Sequence, residues 1–284
     1  MSVRTLLLID AGNTRVKWAT LRQDSAGSPS SMDFDDRGVI ELVALRRSEA
    51  PFRRLLARRA ADTRVIACNV AGAAFEGQLR AVARRAGVSA PQFVRSARST
   101  AGVRNGYAQA WRLGADRWAA LIGARALWPR QALCIVGIGS ALTVDLLDSD
   151  GLHRGGCIAP GPQMMIESLL RDTAGIRRRA RLGGTAAVAK ALSAAWRDSG
   201  SSGQTLFTRD THDALIAGAR HACAALIERA ARQARAQLGR RVQVLLAGGG
   251  ADAVMPLLQL RCRREDDLVL RGLAVVALAG RTIA

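Results

Sequence analysis

The sequence predicts an α/β protein built twice over, on the evidence of two matching glycine turns and of strands and helices that alternate around each. The first turn is Ile9-Asp10-Ala11-Gly12-Asn13-Thr14; the second, near the middle of the chain, is Val136-Gly137-Ile138-Gly139-Ser140-Ala141. In both, an apolar run enters a glycine followed by a small polar residue. An extended run then leaves it, Val16-Lys17-Trp18 in one case and Leu142-Thr143-Val144 in the other. Strand, glycine turn and strand present backbone N–H groups with no side chain in the way, which is what a phosphate chain requires. Two such units facing each other would grip one nucleotide polyphosphate from both sides. A repeat of this kind sets the architecture, here two domains, 1–127 and 128–284, each with its own phosphate loop.

In the first half, Thr5 to Ile9 and Val16 to Leu21 read as strands flanking the turn. The polar stretch Gln23 to Gly38, with Gly27-Ser28-Pro29-Ser30-Ser31, reads as a loop. Ile40 to Arg59 has helical spacing through Leu42, Leu45, Leu55 and Leu56. Arg64 to Val70 is a short buried strand, Phe75 to Ala86 a helix stopped by Gly87, and Pro91 to Ser96 a further strand. A helix begins near Asp116 and breaks at Trp128-Pro129, which puts the domain boundary near Leu127 to Gln131.

The second half repeats the scheme. Ala132 to Val136 and Ala141 to Leu147 flank the second turn, and Asp148 to Gly151 closes a hairpin. A helix is expected from Pro162 to Leu170. The longest one runs from Asp213 to Leu238, with Thr211 at its leading edge and Gly239 at its stop. Val242 to Ala247 is a strand cut by Gly248-Gly249-Gly250, and Gly272 to Ala279 is an apolar, buried helix.

Composition narrows the classes. The 284 residues suffice for one large domain or two ordinary ones, and 49% hydrophobic residues describe a packed globular chain rather than a disordered one. No apolar run approaches the roughly 18 residues of a membrane span. The opening Met1 to Asp10 turns acidic too soon for a signal peptide, so a cytoplasmic protein is expected. Cys68, Cys134, Cys157, Cys223 and Cys262 form no C-x-x-C pair and read as reduced thiols, with Cys68 and Cys134 inside apolar runs. The net charge of +19 comes almost wholly from arginine, since Lys17 and Lys190 are the only lysines. The arginines lie in scattered pairs without aromatic interleaving, so the charge fits anionic substrates or a solvated surface, and nucleic acid is not the expected partner.

Three constellations could carry chemistry. Asp10 ends a hydrophobic strand, where a carboxylate needs a cation or donor nearby. Gly12 admits close backbone approach, Asn13 and Thr14 bring donors, and Lys17 adds charge; the same residues also make an ordinary β-turn. In Gly114-Ala115-Asp116-Arg117-Trp118, Asp116 is either a general base beside an arginine that orients an anion or one acid in a charged first turn. Gly155-Gly156-Cys157-Ile158-Ala159-Pro160-Gly161 and Ala247-Gly248-Gly249-Gly250-Ala251 either let backbone pass close to a nucleotide or serve as tight connections. There is no G-x-x-x-x-G-K-[ST], hence no P-loop, and no G-x-G-x-x-G after the first strand. His153, His212 and His221 lack metal-ligand spacing with one another.

Taken together and in this order, these pieces resemble the type III pantothenate kinase family, a branch of the actin/hexokinase/Hsp70-type ATPases that also includes the Bvg accessory factors. Asn105-Gly106-Tyr107, the run Gly139 to Asp145, and Thr211 with Ala214 and Gly218 complete the match. The resemblance implies two duplicated actin/hexokinase-like (ribonuclease H-like) domains with a nucleotide cleft between them, and a homodimer. It implies ATP with Mg²⁺ held by Asp10, Ala11, Gly12, Asn13, Thr14, Arg15, Val16 and Lys17, with Ser140 as the nucleotide contact of the second turn. Asp116 would accept the proton of the pantothenate hydroxyl, and Tyr107, Gly114, Ala115, Asp116, Arg117 and Thr211 would hold pantothenate. It also implies a monovalent cation, K⁺ or NH₄⁺, on an aspartate of the second turn. Gly137 stands in that place and cannot ligate a cation, Ser140 replaces a threonine, and Thr173-Ala174-Gly175-Ile176-Arg177 lacks the usual proline. The expected activity is ATP-dependent phosphorylation of pantothenate; the alternative is a non-catalytic regulator of the Bvg accessory type, acting through protein or DNA.

Overall fold

The computed structural model describes residues 5–22, 32–57, 63–179 and 205–280. The chain divides into two compact units. The first comprises residues 1–131, 149–154 and 267–284, and the second residues 132–148 and 155–266. A division at 127/128 puts 149–154 and the final helix in the second domain; both lie with the first.

Each unit is organised on a five-stranded sheet. In the first, β1 (Thr5–Ala11), β2 (Arg15–Arg22), β3 (Asp36–Glu41), β4 (Arg64–Asn69) and β5 (Gln92–Phe93) take the order β3-β2-β1-β4-β5. Strands β1, β2 and β3 form an antiparallel meander, while β4 and β5 add parallel. β1 is central, and its Leu6, Leu7, Leu8 and Ile9 are wholly buried, which is why it reads as an unbroken apolar run rather than an alternating one. A small hairpin, β6 (Ser99–Thr100) with β7 (Val103–Arg104), follows.

The second sheet repeats the plan strand for strand. β8 (Leu133–Ile138), β9 (Ala141–Leu147), β10 (His153–Pro160), β11 (Gln243–Ala247) and β12 (Cys262–Arg264) take the order β10-β9-β8-β11-β12. Again the first two strands of the sequence pair antiparallel and the last two add parallel.

In the first unit, α1 (Leu42–Arg47), α2 (Ala50–Ala57) and α3 (Ala73–Arg85) close a core with Leu7, Ile9, Val65 and Phe93. α4 (Ala115–Leu127) and the final helix, Leu268–Leu278, pack on each other and on β4, and the final helix also meets β1. Their crossing is close enough that a Cβ on Gly123 would collide with the Leu268 carbonyl, and one on Gly272 with that of Ala119. Among the described residues of the second unit the α-helices are α5 (Pro162–Asp172), α6 (Ala174–Arg179), the long α7 (Thr211–Leu238) and the short α8 (Ala251–Val254). α7 lays Cys223, Ala224, Ile227 and Ala231 on β8, β9 and β11. Asp210 caps its start, accepting from the His212 and Asp213 N–H groups at 2.7 and 3.3 Å, and Gly239 ends it at φ 60°.

Three expectations are corrected. The loop expected through Gly38 gives way to β3 from Asp36, whose alternating half-buried pattern is that of an edge strand. The single helix expected over Ile40 to Arg59 is instead the end of β3, then α1 and α2, separated at Ser48 and Glu49 just before Pro51. Ser48 Oγ accepts from the Ala50 N–H at 3.1 Å at that break. The strand expected over Pro91 to Ser96 is ordered as strand only at Gln92–Phe93. The glycine- and serine-rich stretch at 27–31 and Arg58 and Arg59 lie outside the described residues.

Candidate active site

The first turn joins β1 to β2. Gly12 N–H donates to Arg15 O at 3.0 Å, and Leu42 N–H donates to Thr14 O at 2.9 Å, tying the turn to the start of α1. Ala11 and Val16 are buried, while Asn13, Thr14 and Arg15 are exposed. Arg15 Nε lies 2.9 Å from Glu41 Oε1 in a surface ion pair. The second turn is one residue shorter between its flanking pairs, Ile138 opposite Leu142 where the first has Ala11 opposite Val16.

Asp10 stands opposite Lys17 across β1 and β2, and beside Cys68 on β4. Burial pushes its carboxyl up to about 7; Lys17 opposes that, and the carboxylates of Asp116 and Asp267 add to it. Burial, with the charges of Asp10 and Asp116, also holds the Cys68 thiol well above its ordinary range. Asp116 and Asp267 are therefore both close enough to act on Asp10. Sequence reasoning singled out the first two and missed Asp267, whose only signal is an acid directly before the apolar helix at Leu268. Asp267 has a left-handed backbone, φ 60°, and pairs with Arg37 at 3.2 Å.

A cluster around Tyr107 lies in the same unit. Buried Asn105 shapes this loop: its Oδ1 accepts from Tyr107 N–H at 3.0 Å and its Nδ2 donates to Ala110 O at 3.1 Å. Arg117 is buried, and its Nη1 donates to the Tyr107 hydroxyl at 3.2 Å. The guanidinium carbon sits 5.8 Å from the centre of the Tyr107 ring. Asp116 Oδ1 accepts from Arg117 N–H at 2.8 Å at the start of α4, and a Cβ on Gly114 would come within 2.6 Å of that oxygen. Glycine at 114 thus leaves the Asp116 carboxylate room, and Ala115 opens the helix beside it.

In the second unit, three glycine-rich segments converge. Gly161 N–H donates to Ser140 O at 2.9 Å, and Gly250 N–H donates to Ile138 O at 3.0 Å. A side chain at Gly161 would collide with Gly139, and one at Gly248 with Ile138. The tight-connection reading of these joints is therefore correct as far as it goes; Ser140 itself remains exposed on the turn. Gly137 stands opposite Thr143, whose Oγ1 lies 2.8 Å from where a Cβ would be. Thr211 is the first residue of α7, next to the capping Asp210. Asp210, His212 and Asp213 bring ligand-type atoms within 4.8 Å of one another, an arrangement that the helix cap already explains. Among the expected site residues, then, Asp10 to Lys17, Tyr107 and Gly114 to Arg117 belong to the first unit, and Ser140 and Thr211 to the second.

A sheet order repeated in both halves, with a glycine turn between the first two strands each time, makes this an actin/hexokinase-like α/β protein. The fold is shared with a protein described as a Baf family transcriptional activator from Campylobacter jejuni, at TM-score 0.55 and 17% identity, covering 95% of this chain and 96% of that one. A 2-dehydro-3-deoxygalactonokinase protein from Sinorhizobium meliloti aligns at TM-score 0.54 and 17% identity, over 96% and 98% of the two chains. The sequence model for type III pantothenate kinase matches residues 6–233. A type III pantothenate kinase from Aromatoleum aromaticum is 39% identical over 272 residues, 96% of this chain and 97% of the relative. One from Burkholderia thailandensis is 37% identical over 273 residues, 95% and 97% of the two. The chain belongs to the type III pantothenate kinase family.

Proposed function

We propose that the chain transfers the γ-phosphoryl group of ATP to the primary hydroxyl of pantothenate, giving ADP and 4′-phosphopantothenate, the first step toward coenzyme A. One observation carries the reading: the Asp116 carboxylate acts on Asp10 of the first glycine turn, so a proton acceptor and a phosphate loop share one neighbourhood. Asp116 takes the hydroxyl proton as the pantothenate oxygen bonds to the γ-phosphorus and the bond to the bridging β–γ oxygen breaks. The buried Arg117, held against Tyr107, suits the pantothenate carboxylate. On the second unit, Ser140 is the nucleotide contact and Thr211 a pantothenate contact in this reading.

The Asp10 carboxylate, with the Asp116 and Asp267 carboxylates near enough to act on it, offers the hard oxygen donor that Mg²⁺ takes. Asp10 would hold it, and the ion, when bound, neutralises charge on the β- and γ-phosphates. Gly137 offers no carboxylate for K⁺ or NH₄⁺, so we expect turnover without a monovalent cation.

Apolar surface on the second unit supports a homodimer: Ile158, Met164, Leu169, Leu206 and Phe207 are all exposed. No described helix is long and apolar enough to cross a membrane, in keeping with a cytoplasmic enzyme. The regulator reading is not favoured, because the similar curated sequences carry the kinase name.

A coupled assay of ADP release with pantothenate and MgATP tests the proposal. Wild-type turnover that vanishes in Asp116→Ala, with nucleotide still bound, is the expected result. Unchanged turnover in that variant would overturn the base assignment, and no pantothenate-dependent ADP release would overturn the function.

A further inference from the structure

We propose that Arg264, on β12, is a positioning residue for the nucleotide. It locks the Gly248–Gly250 loop so that ATP affinity depends on it and pantothenate affinity does not. The inference rests on the kinase reading above and names a residue that reading does not use.

Arg264 reaches three partners, all in the second unit. Its Nη1 donates to Gly248 O at 2.6 Å, its Nη2 lies 2.8 Å from Asp266 Oδ1, and its Nε lies 3.4 Å from Asp252 Oδ1. The side chain is 23% exposed, so these bonds are partly shielded from water. A guanidinium fork can hold acceptors on three sides at once in fixed, planar directions. Here it joins the end of β12, the loop after β11 and the start of α8.

The loop it holds lies where a ligand would meet the sheet. β8, β11 and β12 run parallel, so the Gly139–Ser140 turn, the Gly248–Gly250 loop and Arg264 all leave the sheet at its C-terminal edge. Parallel α/β sheets bind ligands at that edge. Gly248 has φ 91° and leaves no room for a side chain beside Ile138, while Gly250 N–H donates to the Ile138 carbonyl. Gly249 is exposed at the apex. Arg264 therefore anchors one end of a short connected path, through Gly248 and Gly250 to Ile138 and on to the turn that carries Ser140. Freed of Arg264, the loop retains only its backbone bonds, and ATP must order it on binding.

The test measures binding of a non-hydrolysable ATP analogue with Mg²⁺ by calorimetry, and KM for ATP and for pantothenate, in wild type, Arg264→Ala, Arg264→Lys and Asp252→Asn. Loss of a charge-assisted bond set predicts roughly tenfold weaker nucleotide binding in Arg264→Ala. Arg264→Lys, which keeps one bond, and Asp252→Asn, which loses one partner, should fall between it and wild type, with the pantothenate KM within about twofold throughout. Wild-type nucleotide affinity in folded Arg264→Ala, or an equal rise in both KM values, would overturn the proposal. If Arg264→Ala does not fold, the same criterion applied to the two milder variants decides it. Wild-type protein that binds nucleotide but does not phosphorylate pantothenate would end the kinase reading and leave the calorimetric comparison to judge Arg264.

Discussion

The Tyr107 ring stacks on the His153 imidazole, with centroids 5.6 Å apart and planes inclined at 21°. The backbone clinches the same contact, since the His153 carbonyl occupies the space that a side chain on Gly106 would need. Arg104 N–H donates to Gly151 O at 2.8 Å along the same seam. The segment 151–154 thus braces the loop that presents Tyr107 to Arg117. His153→Ala is expected to raise the pantothenate KM several-fold while leaving the ATP KM unchanged, because an aromatic pair contributes about 0.5–1.5 kcal/mol. His153→Phe keeps the stack and should restore most of the loss. Steady-state kinetics on both substrates would check this, and an Ala variant with wild-type pantothenate KM would refute it.

Asp10 gives the protein a pH signature. Its carboxyl is raised from 3.8 to about 7, so between those values the folded protein keeps a proton that the unfolded chain has released. Stability from this group is therefore full below about pH 4 and is lost as pH rises toward 7, at up to about 1.4 kcal/mol per pH unit. Denaturant melts without nucleotide or metal, compared between wild type and Asp10→Asn, should show the variant gaining relative stability across that window. Parallel pH profiles for the two proteins would contradict it.

The α4 crossing with the last helix is a case where propensity and packing oppose each other. Gly123→Ala gains roughly 1 kcal/mol of helix propensity. It also drives a methyl group into the Leu268 carbonyl, and backbone cannot rotate away as a side chain can. Overpacking of about 1–3 kcal/mol should win, giving net destabilisation and a lower Tm. Calorimetric melting decides the sign.

Turnover should be the same within about twofold in K⁺, NH₄⁺ or Na⁺ salts at equal ionic strength, because Gly137 offers no carboxylate. Gly137→Asp needs Thr143 to change its side-chain rotamer, since a Cβ there would lie 2.8 Å from its Oγ1. Stimulation of that variant by K⁺, with none in wild type, would tie the cation to position 137. Strong K⁺ dependence of the wild type would refute the expectation.

Much of this was legible in the chain. The glycine turns, the central strands and the long helix announce themselves because β1 and β8 are buried on both faces and Gly87 and Gly239 stop their helices sharply. β3 was hidden because it carries charge on both faces, Arg37 and Glu41 on one and Asp36 on the other, and only Val39 and Ile40 give an apolar signal. The α1–α2 break was masked by leucines whose spacing continues across it. At the site, Asp10, Asp116 and Arg117 stood out as charges at the ends of apolar segments. Asp267 and His153 could not, because each gains its meaning from residues far away in sequence, and one polar residue before a helix or within a strand says little by itself.

The polypeptide passes between the units after Gln131, Asp148, Arg154 and Asp266. Neither half is thus a continuous stretch of gene. A fragment stopping at Gln131 would lack the C-terminal apolar helix that packs on β1 and β4, and would leave that greasy floor open to aggregation. The duplicated halves, though alike in plan, do not separate at a single cut, and loss of the helix Leu268–Leu278 would damage the lobe encoded first.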